Sequence, residues 1–245
     1  MHALDGFVVA VSRVRVHHME LGETVVRKVR RRGLGPVIAL GNAYFREAGA
    51  AFHMFPVLGD WQAWEARMYR ALHDVDITPI ARGLEVPRFP GDDLGSLLRR
   101  GQLLRAPLRA AADALRGLHD RGLSHGDANL GNFVFDGTLA RPIDFDARHH
   151  DELPLAVRAA DDLLALALDL FGRGASVEAA TTVIDAYRPS SEVRAALGRA
   201  AAPSGLSART LLRARAHALA EEPLARALTA LLELPEPANP VHSTA

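Results

Sequence analysis

One short stretch near the middle of the chain constrains its fold more than any other. Asp127 and Asn132 are separated by four residues, and a further acid, Asp144, follows twelve residues after Asn132. The residues between Asn132 and Asp144 form two β-prone runs around an Asp-Gly dipeptide, which is typical of a two-residue hairpin turn. A hairpin folds the second run back along the first, so we expect Asp144 to lie close to Asn132.

The polar groups of this stretch include the oxygen ligands that a hard metal ion such as Mg²⁺ prefers. Asn132 and Asp144 would supply an amide oxygen and a carboxylate oxygen to Mg²⁺, which would also contact the phosphates of a nucleotide. Asp127 is the candidate general base, or orienting group, for an acceptor hydroxyl. The competing interpretation is a surface loop whose acids only cap turns.

The same stretch resembles the catalytic loop of the protein-kinase-like superfamily. His-Gly-Asp at 125–127, Asn132 and Ile-Asp-Phe-Asp at 143–146 follow the order H-x-D-x-x-x-x-N and then D-F-x. The His-Gly-Asp triplet is similar to that of aminoglycoside and choline phosphotransferases. Asn129 and the Ile-Asp-Phe-Asp run resemble bacterial lipopolysaccharide-core sugar kinases and RIO-type kinases. The resemblance implies an α+β fold with two lobes: a small, mainly antiparallel N-lobe sheet with one helix, and a larger helical C-lobe.

The resemblance also implies how the two lobes divide the chain. Residues 1–88 would form the N-lobe, with the nucleotide-binding sheet and helix C. Residues 89–245 would form the C-lobe, with the catalytic loop, the metal site and a helical bundle, and the whole would be one kinase-like domain. Backbone groups near the hinge would contact the adenine of ATP, and the candidate residues are Leu84, Glu85, Val86 and Phe89.

The basic residues are divided very unevenly between the two types. The chain has 28 arginines and a single lysine, Lys28. Residues 24–29 are rich in β-branched side chains and predict a strand that carries this lysine. A lysine retained in an arginine-rich sequence suits a place where a compact ammonium must approach a phosphate and a carboxylate together. The resemblance gives Lys28 the role of contacting the α- and β-phosphates of ATP, and the alternative is survival by chance.

A helix is predicted for residues 60–72, where apolar residues recur at helical spacing after Asp60, the candidate N-cap. Glu65 in this helix resembles the helix-C glutamate of kinases, so the resemblance implies an ion pair between Lys28 and Glu65 that supports catalysis. The alternatives are a solvated Glu65 and the use of Glu47 in its place.

The glycine-rich loop that covers the phosphates in many kinases is missing. Gly6 and Gly22 are the only glycines before Lys28, so the chain has no G-x-G-x-x-G at this place. Residues 6–16 are rich in valine and predict one or two strands. The turn near Ser12-Arg13 would have to cover the phosphates with ordinary backbone.

The segment after Lys28 carries weaker signals. Three consecutive arginines, 30–32, are predicted to form a solvated strand edge. Residues 33–60 contain several glycines and are predicted to form either an insertion or an acceptor-binding lid. Within them a short helix over 42–48 is predicted, with Asn42 as its N-cap.

The C-terminal half predicts a helical bundle. Apolar residues define one face of a helix over 104–119, a second apolar helix covers 157–171, and three helices fill residues 175–233. Within the second helix, Asp162 would brace the catalytic loop, as the resemblance implies, or would only place a negative charge near the helix N-terminus. The adjacent histidines at 149–150 are a weak signal for a transition metal.

The overall composition excludes several classes of protein. The 245 residues include 29 basic and 29 acidic side chains, so no basic field favours nucleic acid as a partner. The absence of cysteine excludes disulfides and thiolate metal sites. No apolar run approaches the length of a membrane span, so we expect a soluble cytoplasmic protein.

The segment after Asp144 narrows the choice of acceptor. No serine, threonine or tyrosine occurs between Asp144 and Gly174, so neither a phosphorylated activation loop nor the usual peptide-docking segment is expected. We therefore expect a kinase that uses ATP and Mg²⁺ to phosphorylate a hydroxyl group of a small molecule or saccharide. Two alternatives stay open: an atypical, RIO-like serine/threonine protein kinase, and a nucleotide-binding pseudokinase that acts as a scaffold.

Overall fold

The structure, a computed structural model, describes residues 17–233. The strands of this part of the chain are β1 (His17–Leu21), β2 (Val25–Arg30), β3 (Phe52–Met54), β4 (Thr78–Ile80), β5 (Gly83–Pro87), β6 (Asp92–Asp93), β7 (Phe133–Phe135), β8 (Ala140–Pro142) and β9 (Ala147–His149). The α-helices are α1 (Leu34–Glu47), α2 (Leu58–His73), α3 (Leu94–Arg99), α4 (Arg105–His119), α5 (Leu155–Gly172), α6 (Val177–Tyr187), α7 (Ser191–Ala201), α8 (Leu206–Arg215) and α9 (Glu221–Leu232).

These elements form a small β-rich part followed by a larger helical part, which confirms the fold class expected from the sequence. The first part is a four-stranded antiparallel sheet in the order β1-β2-β5-β4, accompanied by α1 and α2. Helix α1 is additional to the single helix that the resemblance implies there, and it extends the short helix predicted over 42–48 towards the N-terminus. The division of the chain after residue 88 stays a prediction. The strands expected in residues 6–16, and the turn at Ser12-Arg13, lie outside the described residues.

Strand β2 alternates between exposed and buried side chains, as a strand with one covered face should. Val26, Lys28 and Arg30 are buried on the same face. The prediction of a solvated basic edge is therefore wrong for Arg30, which is only 7% exposed, because its register position places it on the face of Lys28. Gly83 of β5 lets the two strands approach, since a Cβ there would lie 1.8 Å from the carbonyl oxygen of Lys28.

The segment between β2 and α2 is more ordered than its glycines suggest. Helix α1 runs from Leu34, so the prediction that Asn42 caps a short helix is wrong. Asn42 lies in the middle of α1, and its amide exchanges two hydrogen bonds with the backbone of Met54, at 2.8 and 2.9 Å. These bonds fix α1 against β3, which in turn pairs with β9 beyond the catalytic loop.

Helix α2 confirms the helix predicted for residues 60–72 but begins two residues earlier. Its N-cap is Val57 and Asp60 lies in the first turn, where an acid favours the helix dipole without capping it. Trp61, Glu65 and Met68 are buried along one face of the helix. This face packs against the core that includes Leu84, so α2 presents Glu65 towards the sheet.

The helical part matches the predicted helices at α4 and α5 but has four helices, not three, between residues 175 and 233. Pro203 and Gly205 mark the break between α7 and α8 in the sequence. The break between α8 and α9 has no such mark, because its left-handed residues are His217 and Ala218, with φ of 53° and 60°. None of the helices described for residues 17–233 is long and apolar enough to cross a lipid bilayer.

The hairpin formed by β7 and β8 returns the chain as predicted, although its loop is longer than two residues. Asp136 accepts hydrogen bonds from the backbone of Thr138 and Leu139, both at 2.9 Å, so residues 136–139 form the turn. The Asp136 side chain satisfies the backbone donors of this longer turn. Beyond β8 the amide of Ile143 donates to the carbonyl oxygen of Asn132 at 2.9 Å, so Asp144 follows directly beside Asn132.

Candidate active site

Lys28 lies at the centre of a cluster of three carboxylates. Its Nζ donates to both oxygens of Glu65, at 2.6 and 2.7 Å, to Asp144 Oδ1, and to Asp146 Oδ1 at 3.2 Å. Lys28 and Glu65 are almost completely buried, with side chains 1% and 0% exposed, whereas the carboxylates of Asp144 and Asp146 are partly exposed. The sheet, helix α2 and the segment after β8 therefore meet at one ammonium group.

The electrostatics of this cluster keep Lys28 charged. Burial by itself lowers the pKa of Lys28, but Asp144, Asp146 and Glu65 together raise it well above its ordinary value. Burial raises the pKa of Glu65, and the charges of Asp146 and Asp144 act in the same direction, whereas the ammonium of Lys28 lowers it. Because three acids surround one ammonium, the proton stays on Lys28.

Asp127 lies in the loop before β7, and hydrogen bonds hold it in place. Asn129 Nδ2 donates to Asp127 Oδ2 at 3.0 Å, and Asn132 Nδ2 donates to the carbonyl oxygen of Asp127 at 2.8 Å. Burial raises the pKa of Asp127 to about 6, and the charges of Asp144 and Asp146 act in the same direction. A carboxylate with a pKa of about 6 suits a general base that works near neutral pH.

Asp162 holds the loop that contains Asp127 in place through hydrogen bonds. Its carboxylate accepts the backbone N–H groups of His125 at 2.7 Å and Gly126 at 2.9 Å, and contacts His119 Nε2 at 3.0 Å. Asp162 lies about two turns into α5, and its side chain is fully buried. The alternative, that it only places a negative charge near the helix N-terminus, is therefore wrong. Asp169, one heptad further on the same face, accepts the N–H of Leu130 at 2.8 Å.

Two backbone conformations explain residues of the motif. Gly126 has a φ of +84°, and a Cβ there would lie 3.0 Å from the carbonyl group of Ala147, so this position favours glycine. Asp144 has a φ of 66°, a left-handed conformation that few non-glycine residues adopt and that often marks a functional site. His125 Nε2 contacts the carbonyl oxygen of Ile143 at 3.1 Å, which supports the segment leading into Asp144.

The sequence analysis assigned no role to two residues that lie at or near the site. Asp146, the last residue of the Ile-Asp-Phe-Asp run, contacts Lys28 and also accepts from Trp61 Nε1 at 2.9 Å. Arg215 of α8 pairs with Asp161 through two bonds, at 2.8 and 3.0 Å, and its charge lowers the pKa of Asp127. No local pattern distinguishes Arg215 from the other arginines, so only the fold could reveal it.

The side chains of the residues predicted to contact adenine already contact other groups of the protein. The side chains of Leu84 and Val86 are buried in the core, and Glu85 pairs with Arg27 at 2.6 Å. Phe89 lies parallel to Tyr69, with ring centroids 6.1 Å apart. Strand β4 pairs with β5 only as far as Glu85, so the open backbone edge begins at Val86. Adenine contact by this segment stays a prediction, and it fits the backbone after Glu85 best.

The histidines at 149–150 do not form a metal site with other ligands in residues 17–233. His149 is buried and contacts Asp161 at 3.2 Å, whereas the ring of His150 stacks on His53 with centroids 5.1 Å apart. In the described part of the chain, only Glu65, Asp144 and Asp146 bring metal-binding oxygens together, within 4.8 Å of one another.

Two of the three comparisons with known proteins find no match. No protein-family model matches the sequence, and no curated protein matches it either. Among solved structures, the chain is similar to the bifunctional kinase-methyltransferase WbdD, with 14% sequence identity and a TM-score of 0.40. The similarity covers 82% of this chain and 47% of WbdD, so the chain spans about half the length of that protein. We therefore base the assignment of function on the contacts within this chain.

Proposed function

We propose that this protein is an ATP-dependent phosphotransferase that moves the γ-phosphoryl group to a hydroxyl group of a small molecule or saccharide. The observation that carries the proposal is the contact of one buried lysine with Glu65 and Asp144, which lie 37 and 116 residues away in the chain. A buried charge needs compensation, and a simple ion pair would satisfy it with one acid. Convergence of three acids on Lys28, beside Asp127, suits the binding and transfer of a phosphoryl group.

The donor set fits a magnesium ion. Both oxygens of Glu65 accept from Lys28, whereas Asp144 contacts Lys28 through Oδ1 and its side chain is partly exposed. Asn132 uses its amide nitrogen for Asp127, so its amide oxygen remains for a cation. Asn132 and Asp144 would hold the ion, with Asp146 beside them, and all three offer the oxygen ligands that Mg²⁺ prefers. When bound, the ion supplies positive charge that neutralises the phosphates of ATP.

The reaction would be carried by positioning and by charge. Asp127 would orient the acceptor hydroxyl and accept its proton as the acceptor oxygen bonds to the γ-phosphorus and the bond from that phosphorus to the β,γ-bridging oxygen breaks. Lys28, held by Glu65, would neutralise the α- and β-phosphates. Asp162 would keep the Asp127 loop rigid, so that little reorganisation is needed during transfer.

The short connection after the site supports a small acceptor. Only residues 150–154 join β9 to α5. In this connection there is no room for a long peptide-docking segment, and it contains no hydroxyl side chain. Arg215 lies close enough to Asp127 for its charge to lower the pKa of that carboxyl group, and it would border the acceptor, which suits an acceptor with polar groups such as the hydroxyls of a saccharide.

The proposal can be tested by phosphate transfer from γ-labelled ATP. We would incubate the protein with a cell lysate separated by size into a small-molecule fraction and a protein fraction, with Asp127→Asn as the inactive control. A labelled small-molecule product other than ATP and inorganic phosphate, formed with the wild type only, supports the proposal. Label only in protein would favour the RIO-like alternative, and ATP binding without transfer or hydrolysis would favour the scaffold.

A further inference from the structure

A pocket lies where β2 ends and α1 begins. Its volume is about 200 Å³, more than ten times the roughly 10–15 Å³ that a single buried water needs. Four arginines line it: Arg30, Arg31, Arg32 and Arg82. None of the residues assigned above to catalysis or metal binding is among its lining residues, so this basic pocket adjoins the site around Lys28 without sharing a residue with it.

Within residues 17–233 the charge of the basic pocket is only slightly compensated: burial lowers the pKa of Arg30, and the charge of Asp146 acts against this. No acidic residue lines it, and none of its four arginines forms an ion pair with an acid in residues 17–233. Other arginines of the chain do find acids, such as Arg27 with Glu85 and Arg116 with Asp113, at 2.6 Å each. Four arginines gathered without an ion-paired acid are the arrangement expected of an anion site.

Arg30 gives independent support, because it is buried and only partly satisfied. The residue is 7% exposed, and its Nη2 donates to the carbonyl oxygen of Phe55. Its Nη1 is buried and has no hydrogen-bond partner among the described residues. A charged donor left without a partner is unfavourable in a protein interior, and because Arg30 lines the pocket, an anion there would compensate its charge.

The first turn of α1 adds backbone donors at the same place. The helix has 14 residues, its N-cap is Gly33 with a φ of 74°, and it has neither a side-chain cap nor an acid in the first turn. The N–H groups of Leu34 and Gly35 therefore have no partner within the helix, and both residues line the pocket. A helix N-terminus with free N–H groups attracts negative charge, which favours an anion beside the arginines.

We propose that the basic pocket is a binding site for a phosphate group, either free inorganic phosphate or the phosphate of a small phosphorylated molecule. Guanidinium groups donate in a planar fork that matches phosphate oxygens, and four of them with a helix N-terminus offer more donors than a carboxylate can accept. The bound group would contact β2, the strand that carries Lys28, and α2, the helix that carries Glu65. Arg30 follows Lys28 by two residues on the same face of β2, and Leu58, which also lines the pocket, is the first residue of α2.

The test is a calorimetric titration of the full-length protein without nucleotide or Mg²⁺, at constant ionic strength. Inorganic phosphate and glucose 6-phosphate are titrated separately, with chloride as the blank. We expect saturable binding of at least one phosphate ligand, with a dissociation constant below about 1 mM. Tighter binding of the sugar phosphate would identify an esterified phosphate as the natural ligand, and equal or weaker binding would identify the free ion.

Variants locate the binding. Arg82→Gln and the exposed pair Arg31→Gln with Arg32→Gln should each weaken binding about tenfold or more, since each removes charge-assisted hydrogen bonds. Arg46→Gln is the matched control, because Arg46 lies on the same helix at its opposite end, and it should bind as the wild type does. Lack of saturable binding to the wild type, or equal affinities in the pocket variants and Arg46→Gln, would overturn the proposal.

Discussion

The stability of this protein should depend far more on Lys28 than on Glu65, although the two side chains form one ion pair. Lys28→Met removes the only ammonium among three carboxylates, two of which are partly buried and one fully buried. Loss of one partner of a buried pair lowers the free energy of unfolding by about 3–5 kcal/mol, a large share of the roughly 5–15 kcal/mol typical of a domain. Glu65→Gln instead leaves Lys28 with Asp144 and Asp146, and it also removes the repulsion between Glu65 and those two acids.

We therefore expect Glu65→Gln to lower the free energy of unfolding by less than about half the loss in Lys28→Met. The measurement is urea unfolding followed by circular dichroism at pH 7.5, without Mg²⁺. If Lys28→Met is too unstable to purify, the double variant Lys28→Met/Glu65→Gln should recover folding, because it leaves two unpaired acids in place of three. Equal losses in the two single variants would refute the view that one lysine is shared by all three acids.

Four further outcomes are expected. Asp127→Asn should keep the wild-type unfolding midpoint but lower phosphoryl transfer by about 10²-fold or more, measured with labelled ATP; transfer at the wild-type rate would exclude Asp127 as the acceptor-orienting group. Lys28→Arg should lose about 10- to 100-fold in transfer and, because the position is 1% exposed, about 1–3 kcal/mol of stability through overpacking; normal turnover would remove Lys28 from the site. Asp162→Asn should lose about 1–3 kcal/mol, since its NH₂ group would face a backbone N–H of the catalytic loop, and an unchanged urea midpoint would contradict the brace. Finally, burial opposes ionisation of Asp161, but Arg215 lowers its pKa below the usual value, so its contribution is complete above about pH 5 and falls as the pH drops further; Asp161→Asn should therefore show a shallower loss of stability with acid.

The sequence by itself determined the features that depend on neighbouring residues. Spacing along residues 127–144 singled out Asp127, Asn132 and Asp144 as candidates, and the hairpin signal predicted that Asn132 and Asp144 lie close together. Periodicity predicted α2, α4 and α5, because the 3.6-residue repeat of a buried face is written into consecutive residues. The rarity of lysine singled out Lys28 before any partner was known.

Only the tertiary structure decided the features that depend on distant residues. The partners of Lys28 lie up to 118 residues away, and no local pattern specifies which of several acids reaches it. Asp162 could brace the loop or charge a helix end until its two backbone donors were identified. Arg30 and Arg215 are each one of 28 arginines, and their meaning comes from burial beside a helix N-terminus in the first case and beside Asp161 in the second. Local periodicity specifies secondary structure, whereas packing between separate elements selects the charged groups that must find a partner.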